Sequence, residues 1–465
     1  MSGADRGQSL SPPPLKKRKV ESTTTKKTVS SFFTPTSKKE PEAVTWRIIH
    51  DSLLLGRYQP RDPAPGNEVK HGKQRSRKIA AFDLDSTLIQ TTSGNTFAKD
   101  AADWRWWHGV VPGKLKKLHA DGYNIAILTN QGSITLVPSP KSKTPKAELH
   151  ALTTFKAKTT AVLSNFDFPI TLLAATQRDI YRKPRTGMWI ELLEELDLDE
   201  PSADGGVDLG QSFFVGDAGG RAAAEQADGA AGRKADHSCS DRDMAANVGI
   251  QFHTPEEYFL EGAVMPFVRP FDPSNYLLSE MEAVSASSTD VTPMVIGKKN
   301  SLDIIIMCGS PGCGKSTFFW RSLKPLGYER VNQDLLKTRE KCVKVATEYL
   351  KSGTSVAVDN TNADVATRKV WLDLGAKVGV PVRCMWFTAP PSLCQHNDTV
   401  RALAGEGLNG FNPEKRVILP HSAFAGFRSR FKEPDIKEGF QDVVKVDFQF
   451  QGSEQERKAW SRYWI

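Results

Sequence analysis

Short apolar runs that end in polar or acidic residues recur along the chain: "KIAAFDLD" (78–85), "YNIAILTNQ" (123–131), "ITLLAAT" (170–176) and "SFFVGDAGG" (212–220). Between them lie stretches with helical spacing, such as "VPGKLKKLHADG" (111–122) and "GMWIELLEELDLD" (187–199). Continuous apolar strands alternating with amphipathic helices predict a mainly parallel sheet covered by helices on both faces. A second series begins at "LDIIIMCGS" (302–310) and continues through "YERVNQD" (328–334), "TSVAVDNTN" (354–362) and "VRCMWFTAP" (382–390). Two α/β domains follow, over 44–269 and 300–465. The segment 270–299, which loses periodicity and gains Pro and Ser, is read as a linker. No internal repeat is present, and "ADGAAGRKAD" (227–236) reads as a small-residue loop.

Residues 1–43 are polar and rich in Lys, Ser, Thr and Pro, which predicts a disordered basic tail. Residues 1–40 carry nine basic side chains against three acidic ones, so most of the chain's net charge of +8 sits there. Within the tail, "PPPLKKRKV" has the composition of a nuclear import signal, which implies an import receptor as partner and a nuclear location. "KKTVSSFFTP" sets Val29, Phe32 and Phe33 at the spacing of a sliding-clamp-binding peptide, with Lys26 in place of the usual glutamine. Six cysteines without a CxxC pair predict a reduced, intracellular chain. The lack of an apolar run of the roughly 18 residues needed for a membrane span predicts a soluble protein, and a monomer is expected.

The strand ends carry the candidate chemistry. Asp83 and Asp85 at the end of the 78–83 run should point the same way along an extended chain, and two close carboxylates are costly unless a cation joins them. Mg2+ suits such a pair. Asp83 is then a nucleophile toward phosphorus and Asp85 the acid and base. Thr129 and Lys183 would bind the phosphate, and Asp217 would supply another metal ligand. Together these pieces resemble the haloacid dehalogenase superfamily. "RKPRTGMW" and "FFVGDAGGR" followed by "GRKADHSCSD" are similar to the phosphatase domain of polynucleotide kinase 3'-phosphatases. That resemblance implies a haloacid dehalogenase-like Rossmannoid fold, adds Asp236 and Asp241 as further metal-region candidates, and singles out Ser86, where the family has glycine. The short intervals between the motifs leave little room for a large cap domain, so the site should accept a macromolecular end.

"GSPGCGKS" satisfies G-x-x-x-x-G-K-[ST] in full, after an apolar strand and before a helix, the context in which backbone N–H groups cradle phosphates. Gly309, Ser310, Pro311, Gly312, Cys313, Gly314, Lys315, Ser316 and Thr317 are the ATP-binding candidates, with Ser316 on Mg2+. Asp334, at the end of "YERVNQD", is placed to accept a hydroxyl proton as a kinase base. Asp359 has the place of a second metal-region acid or of a structural hydrogen-bonding group, and Arg401 in "PSLCQHNDTVRAL" that of a lid arginine. "VNQD", "VDNTN", "HNDTVRAL" and "EGF" resemble the P-loop 5'-kinase domain of the same family. The combined resemblance implies removal of 3'-phosphates and phosphorylation of 5'-hydroxyls at DNA ends in strand-break repair, using Mg2+ and ATP. It also implies a form without the N-terminal forkhead-associated domain of the animal members, since the tail is too short to hold one. Two other readings are a fusion of a small-molecule phosphatase with a metabolite kinase, and a non-catalytic DNA-end scaffold. The missing cap argues against the first, and the intact acidic and lysine positions against the second.

Overall fold

In the computed structural model, which describes residues 43–60, 76–140, 142–199, 206–223, 234–277, 297–403 and 412–465, the apolar runs become the strands of two main sheets. The import-type cluster and the clamp-type peptide lie outside the described residues, as does most of the small-residue loop. The first half contributes β1 (Val44–Ile49), β2 (Leu53–Tyr58), β3 (Ile79–Phe82), a small ribbon of β4 (Ile89–Gln90) and β5 (Arg105–Trp106), then β6 (Asn124–Asn130), β7 (Ile170–Ala175), β8 (Phe213–Val215) and β9 (Gln251–His253). Seven of them form one sheet in the order β1-β2-β7-β6-β3-β8-β9.

The five strands from β7 to β9 in that order are parallel, whereas β1 and β2 form an antiparallel hairpin on the β7 edge. The reason is local. Only His50, Asp51 and Ser52 separate the two strands, too few for the crossover that parallel pairing requires. His50 and Asp51 turn the chain at positive φ of 46° and 55°. At the sheet centre, Ile79 and Ala81 face a core with Leu128, Met188, Trp189 and Phe214. Phe82 faces the other side, stacked on Phe259 at 6.1 Å between ring centroids. Burial on both faces is why β3 reads as an unbroken apolar run.

The second sheet holds β10 (Ile304–Cys308), β11 (Glu329–Val331), β12 (Val356–Asp359), β13 (Val382–Phe387) and β14 (Val443–Val446) in the order β11-β12-β10-β13-β14, all parallel. Ile304, Ile306 and Cys308 pack with Leu350 and Trp371, while Ile305 and Met307 pack with Phe319 and Tyr328 on the opposite face. Fully burying each aliphatic side chain of this kind contributes about 1.5–3 kcal/mol. The central strand is thereby fixed, and with it the loop that leaves its carboxyl end.

The segment read as a linker starts differently. Phe271, Tyr276 and Leu277 pack against Leu393, Val400 and Trp460, with a 3-10 turn over Pro273–Tyr276 between them. Residues 278–296 lie outside the described part. The two sheet-bearing halves also meet directly. The Asn247 amide donates to the Tyr463 carbonyl at 2.7 Å and accepts from its N–H at 2.9 Å, and the Arg269 guanidinium lies 4.5 Å from the Tyr463 ring centre.

Candidate active sites

Asp83 leaves the carboxyl end of the central strand β3, its N–H donating to the Val215 carbonyl at 2.8 Å. The chain then turns: Ser86 has φ of 61°, and its N–H donates to the Ile89 carbonyl at 2.7 Å. A left-handed conformation costs a residue with a Cβ about 1–2 kcal/mol, so the position where the family carries glycine is a turn that glycine would adopt without that cost.

The same turn separates the side chains of Asp83 and Asp85, which the sequence predicts to point the same way. Extended alternation ends at Phe82, so it does not govern the two aspartates. Asp85 swings outward, half exposed, and accepts from Gln131 Nε2 at 2.7 Å and Lys158 Nζ at 3.1 Å. The carboxylates that do converge are Asp83, Asp217 and Asp241, with ligand oxygens within 4.8 Å of one another. Gly216 makes this possible, because a Cβ there would lie 2.2 Å from an Asp241 oxygen.

Lys183 enters the cluster from below, donating to Asp83 at 2.6 Å, Asp241 at 2.8 Å and the Leu128 carbonyl at 2.8 Å. Its loop is pinned by Asn130, which donates to the Lys183 carbonyl and accepts from its N–H. Burial opposes the Lys183 charge, but Asp241 and Asp83 outweigh it and hold the pKa above the ordinary lysine value. Burial pushes Asp83 up to about 7, with Lys183 pulling against it and Asp241 adding to it. Burial, then Asp83 and Asp241, push Asp217 up to about 8. One ammonium faces three carboxylates, and the missing positive charge, surrounded by oxygen donors, fits a hard divalent cation. Thr129 is buried beside this group, its hydroxyl accepting from Gln131 at 3.0 Å. Asp236 is not part of the cluster: it pairs with Arg221 at 2.9 Å and accepts from the N–H groups of Gly219 and Arg221.

In the second half, residues 309–317 run from β10 into the helix that starts at Lys315. Lys315 Nζ donates to the carbonyls of Gly309 at 2.9 Å and Ser310 at 2.7 Å, curling over its own loop. Ser316 donates to Asp359 at 2.8 Å at the end of β12. Residues 311–317 border a cleft of about 1640 Å3 that also reaches Asp334, Arg401 and Arg416.

Asp334 does not end a strand. β11 stops at Val331, Asn332 caps the short helix Gln333–Leu336, and Asp334 sits in its first turn with its side chain 75% exposed. Asn332 also donates to the Asp359 carbonyl at 2.6 Å, which holds that turn to the end of β12. Arg401 is paired with Asp398 on its own helix, Pro391–Leu403, and borders the cleft from there.

Several side chains around the two sites escaped sequence reading. Gln131 and Lys158 hold Asp85. Arg330 binds Asp359 at 2.5 Å, donates to Ser316 at 3.1 Å and reaches Glu414 at 2.6 Å. Arg416 joins Glu414 at 2.5 Å and approaches Asp334 at 3.8 Å. Gln131 could have been found, since it adjoins Thr129 in the strand-end run. The others come from elements whose register against the sites is not encoded in local spacing.

Comparison with known proteins finds two separate matches along the chain. Residues 78–259 match the family model described as polynucleotide kinase 3 phosphatase, and residues 304–434 match one described as an AAA domain. The chain is 39% identical over 382 residues to a bifunctional polynucleotide phosphatase/kinase of Schizosaccharomyces pombe, covering 82% of each chain. It is 30% identical over 226 residues to the polynucleotide 3'-phosphatase ZDP of Arabidopsis thaliana, covering 46% of this chain and 29% of that one. A polynucleotide 3'-phosphatase of Saccharomyces cerevisiae is 26% identical over 247 residues, or 44% of this chain and 95% of that one. With two α/β sheets and a relative matched over most of both lengths, the chain belongs to the family of bifunctional polynucleotide phosphatase/kinases.

Proposed function

We propose that this enzyme repairs DNA strand ends, removing 3'-phosphates at the first site and transferring the ATP γ-phosphoryl group to 5'-hydroxyls at the second. The observation that carries this reading is the presence in one chain of both groupings, Asp83 with Lys183, Asp217 and Asp241, and Lys315 with Ser316, Asp359 and Asp334.

In the first reaction an Asp83 oxygen forms a bond to phosphorus as the bond to the 3'-oxygen breaks, and Asp85 gives its proton to that oxygen. Asp85 then takes a proton from water, which attacks the aspartyl-phosphate and returns Asp83 as a carboxylate. Lys183 neutralises charge on the phosphate throughout, and Thr129 donates a hydrogen bond to it. Asp83, Asp217 and Asp241 would hold Mg2+, which when bound supplies positive charge to the phosphate oxygens. In the second reaction Asp334 accepts the 5'-hydroxyl proton while Lys315 faces the transferred phosphoryl group. Ser316 and Asp359 would hold the metal that accompanies ATP, and Arg401 and Arg416 border the triphosphate's side of the cleft.

A nuclear location fits the basic cluster at 12–20, and the same tail offers the weaker clamp-type peptide. An oligonucleotide bearing a 3'-phosphate and a 5'-hydroxyl, supplied with ATP and Mg2+ in DNA and RNA versions, should be converted at both ends. Faster turnover of a sugar phosphate than of the oligonucleotide would instead support the small-molecule reading.

The acidic cluster also makes a prediction about stability. Asp83 and Asp217 have folded-state pKa values near 7 and 8, against a usual carboxylate value of 3.8. Between about pH 4 and pH 8 the folded state therefore binds more protons than the unfolded one, and stability should fall as pH rises through that window. A divalent ion competes with those protons, so its stabilising effect should grow with pH. Added Mg2+ should raise the melting temperature relative to EDTA by about 2–5 °C at pH 8 and by less than about 1 °C at pH 6. Asp217→Asn should remove most of the pH 8 increment. An equal Mg2+ shift at both pH values would show that the buried carboxylates are not where the ion binds.

A further inference from the structure

We infer that Asn397 is a positioning residue for the phosphate-binding loop, and that the indole N–H of Trp460 holds it in that task. Asn397 Nδ2 donates to the Gly312 carbonyl at 3.0 Å, and Asn397 Oδ1 accepts from Trp460 Nε1 at 2.8 Å. The second bond decides the first. An indole nitrogen can only donate, so it selects the amide orientation that turns the oxygen toward Trp460 and the NH2 group toward the loop.

The carbonyl so held belongs to a crowded peptide. Gly312 has φ of +76°, and a Cβ on it would lie 2.2 Å from the Cys394 carbonyl oxygen, one helical turn before Asn397. The loop thus rests on the helix Pro391–Leu403. Because the peptide is planar, holding the Gly312 carbonyl outward turns the following Cys313 N–H inward, where it meets the Ser310 carbonyl at 3.3 Å. Asn397 therefore fixes the direction of a backbone N–H inside the loop from the wall of the cleft.

Trp460 is anchored on every side. It is 3% exposed, stacks on Phe448 at 5.6 Å and lies 5.1 Å from Phe450 between ring centroids. Its carbonyl accepts from His396 Nε2 at 2.8 Å. Three residues further, the backbone of Tyr463 pairs with Asn247 on the helix Ser240–Val248, which also carries Asp241. The helix Glu454–Trp460 is thus held between the ATP cleft and the phosphatase half, and its last residue orients the loop.

The inference rests on the cleft being the nucleotide site, and the test separates the two. In the full chain, Trp460→Phe keeps an aromatic ring in the cluster but loses the donor and part of the ring's volume, while Asn397→Leu keeps the volume and loses both bonds. Dissociation constants for a fluorescent ATP analogue should rise about fivefold in the first and about tenfold in the second, as should KM for ATP, the size expected for one or two hydrogen bonds. Values of kcat and the 3'-phosphatase rate should each stay within about twofold of wild type. In the double variant, Trp460→Phe should add nothing to Asn397→Leu, the signature of two residues acting through one bond chain. Wild-type nucleotide binding with unchanged affinity in both variants overturns this inference alone, as does a joint fall of affinity and 3'-phosphatase rate by similar factors. Failure of the wild type to bind the analogue overturns the nucleotide-site reading and this inference with it.

Discussion

Asp83→Asn is expected to slow 3'-phosphate removal by about 10^4-fold or more, the scale of losing a nucleophile, while 5'-phosphorylation stays within about twofold of wild type. The substitution is a narrow one. Asparagine keeps the shape and still offers an oxygen to Lys183 Nζ, now 2.6 Å from Asp83, but an amide oxygen does not form a stable bond to phosphorus. It also removes one of three converging carboxylates, and burial already drives the Asp83 pKa up to about 7. Taking away that charge should leave the metal-free fold as stable as before or more so at pH 8. The kinase should be unaffected because its loop leaves a different sheet, built around β10 rather than β3. Rates at both ends of one oligonucleotide, with a melting curve, check all three points; retained 3'-phosphate removal in a folded variant sinks the nucleophile assignment.

How much of this could be read from sequence depends on how each residue is connected. Strand ends were legible, because a buried parallel strand must be apolar on both faces and its first polar residue marks the sheet edge. Asp83, Thr129, Asp217 and Asp359 were singled out that way, and all four lie at or next to strand ends. The phosphate-binding loop was legible because its glycines answer local backbone demands, as Gly312 does. The orientation of Asp85 was not, since Ser86 turns the chain where alternation was assumed to continue. Asp236 and Asp241 are five residues apart and looked alike. Only the packing against Gly216 and Lys183 distinguishes the buried member of the cluster from the partner of Arg221. Lys158, Arg330 and Arg416 depend on how a helix, a strand and an irregular segment are placed across 29–82 residues of chain, as Arg330 with Asp359 and Arg416 with Asp334 illustrate. No local period carries that information.

Lys315→Ala and Asp334→Asn should each abolish most 5'-phosphorylation and leave 3'-phosphate removal intact, but for different reasons that binding measurements can separate. Lys315 lies over the loop, held by two carbonyls in the structure, and a phosphate would compete with those carbonyls for its charge. Its loss should lower kcat by about 10^2–10^3-fold, the cost of one transition-state donor, and should weaken nucleotide binding as well. Asp334 is largely exposed on a short helix, and among the described residues no hydrogen bond or ion pair joins it to the loop, so its neutral analogue should carry no burial cost and leave ATP affinity intact. Its loss should lower kcat by about 10^2–10^4-fold, the range for a general base, with ATP affinity within about twofold. Arg416 stands 3.8 Å from Asp334, so the carboxylate faces the cleft beside a positive charge. An Asp334→Asn variant that loses ATP affinity in step with kcat would place this residue in nucleotide binding instead, and the proton acceptor for the 5'-hydroxyl would have to be sought among the other groups bordering the cleft.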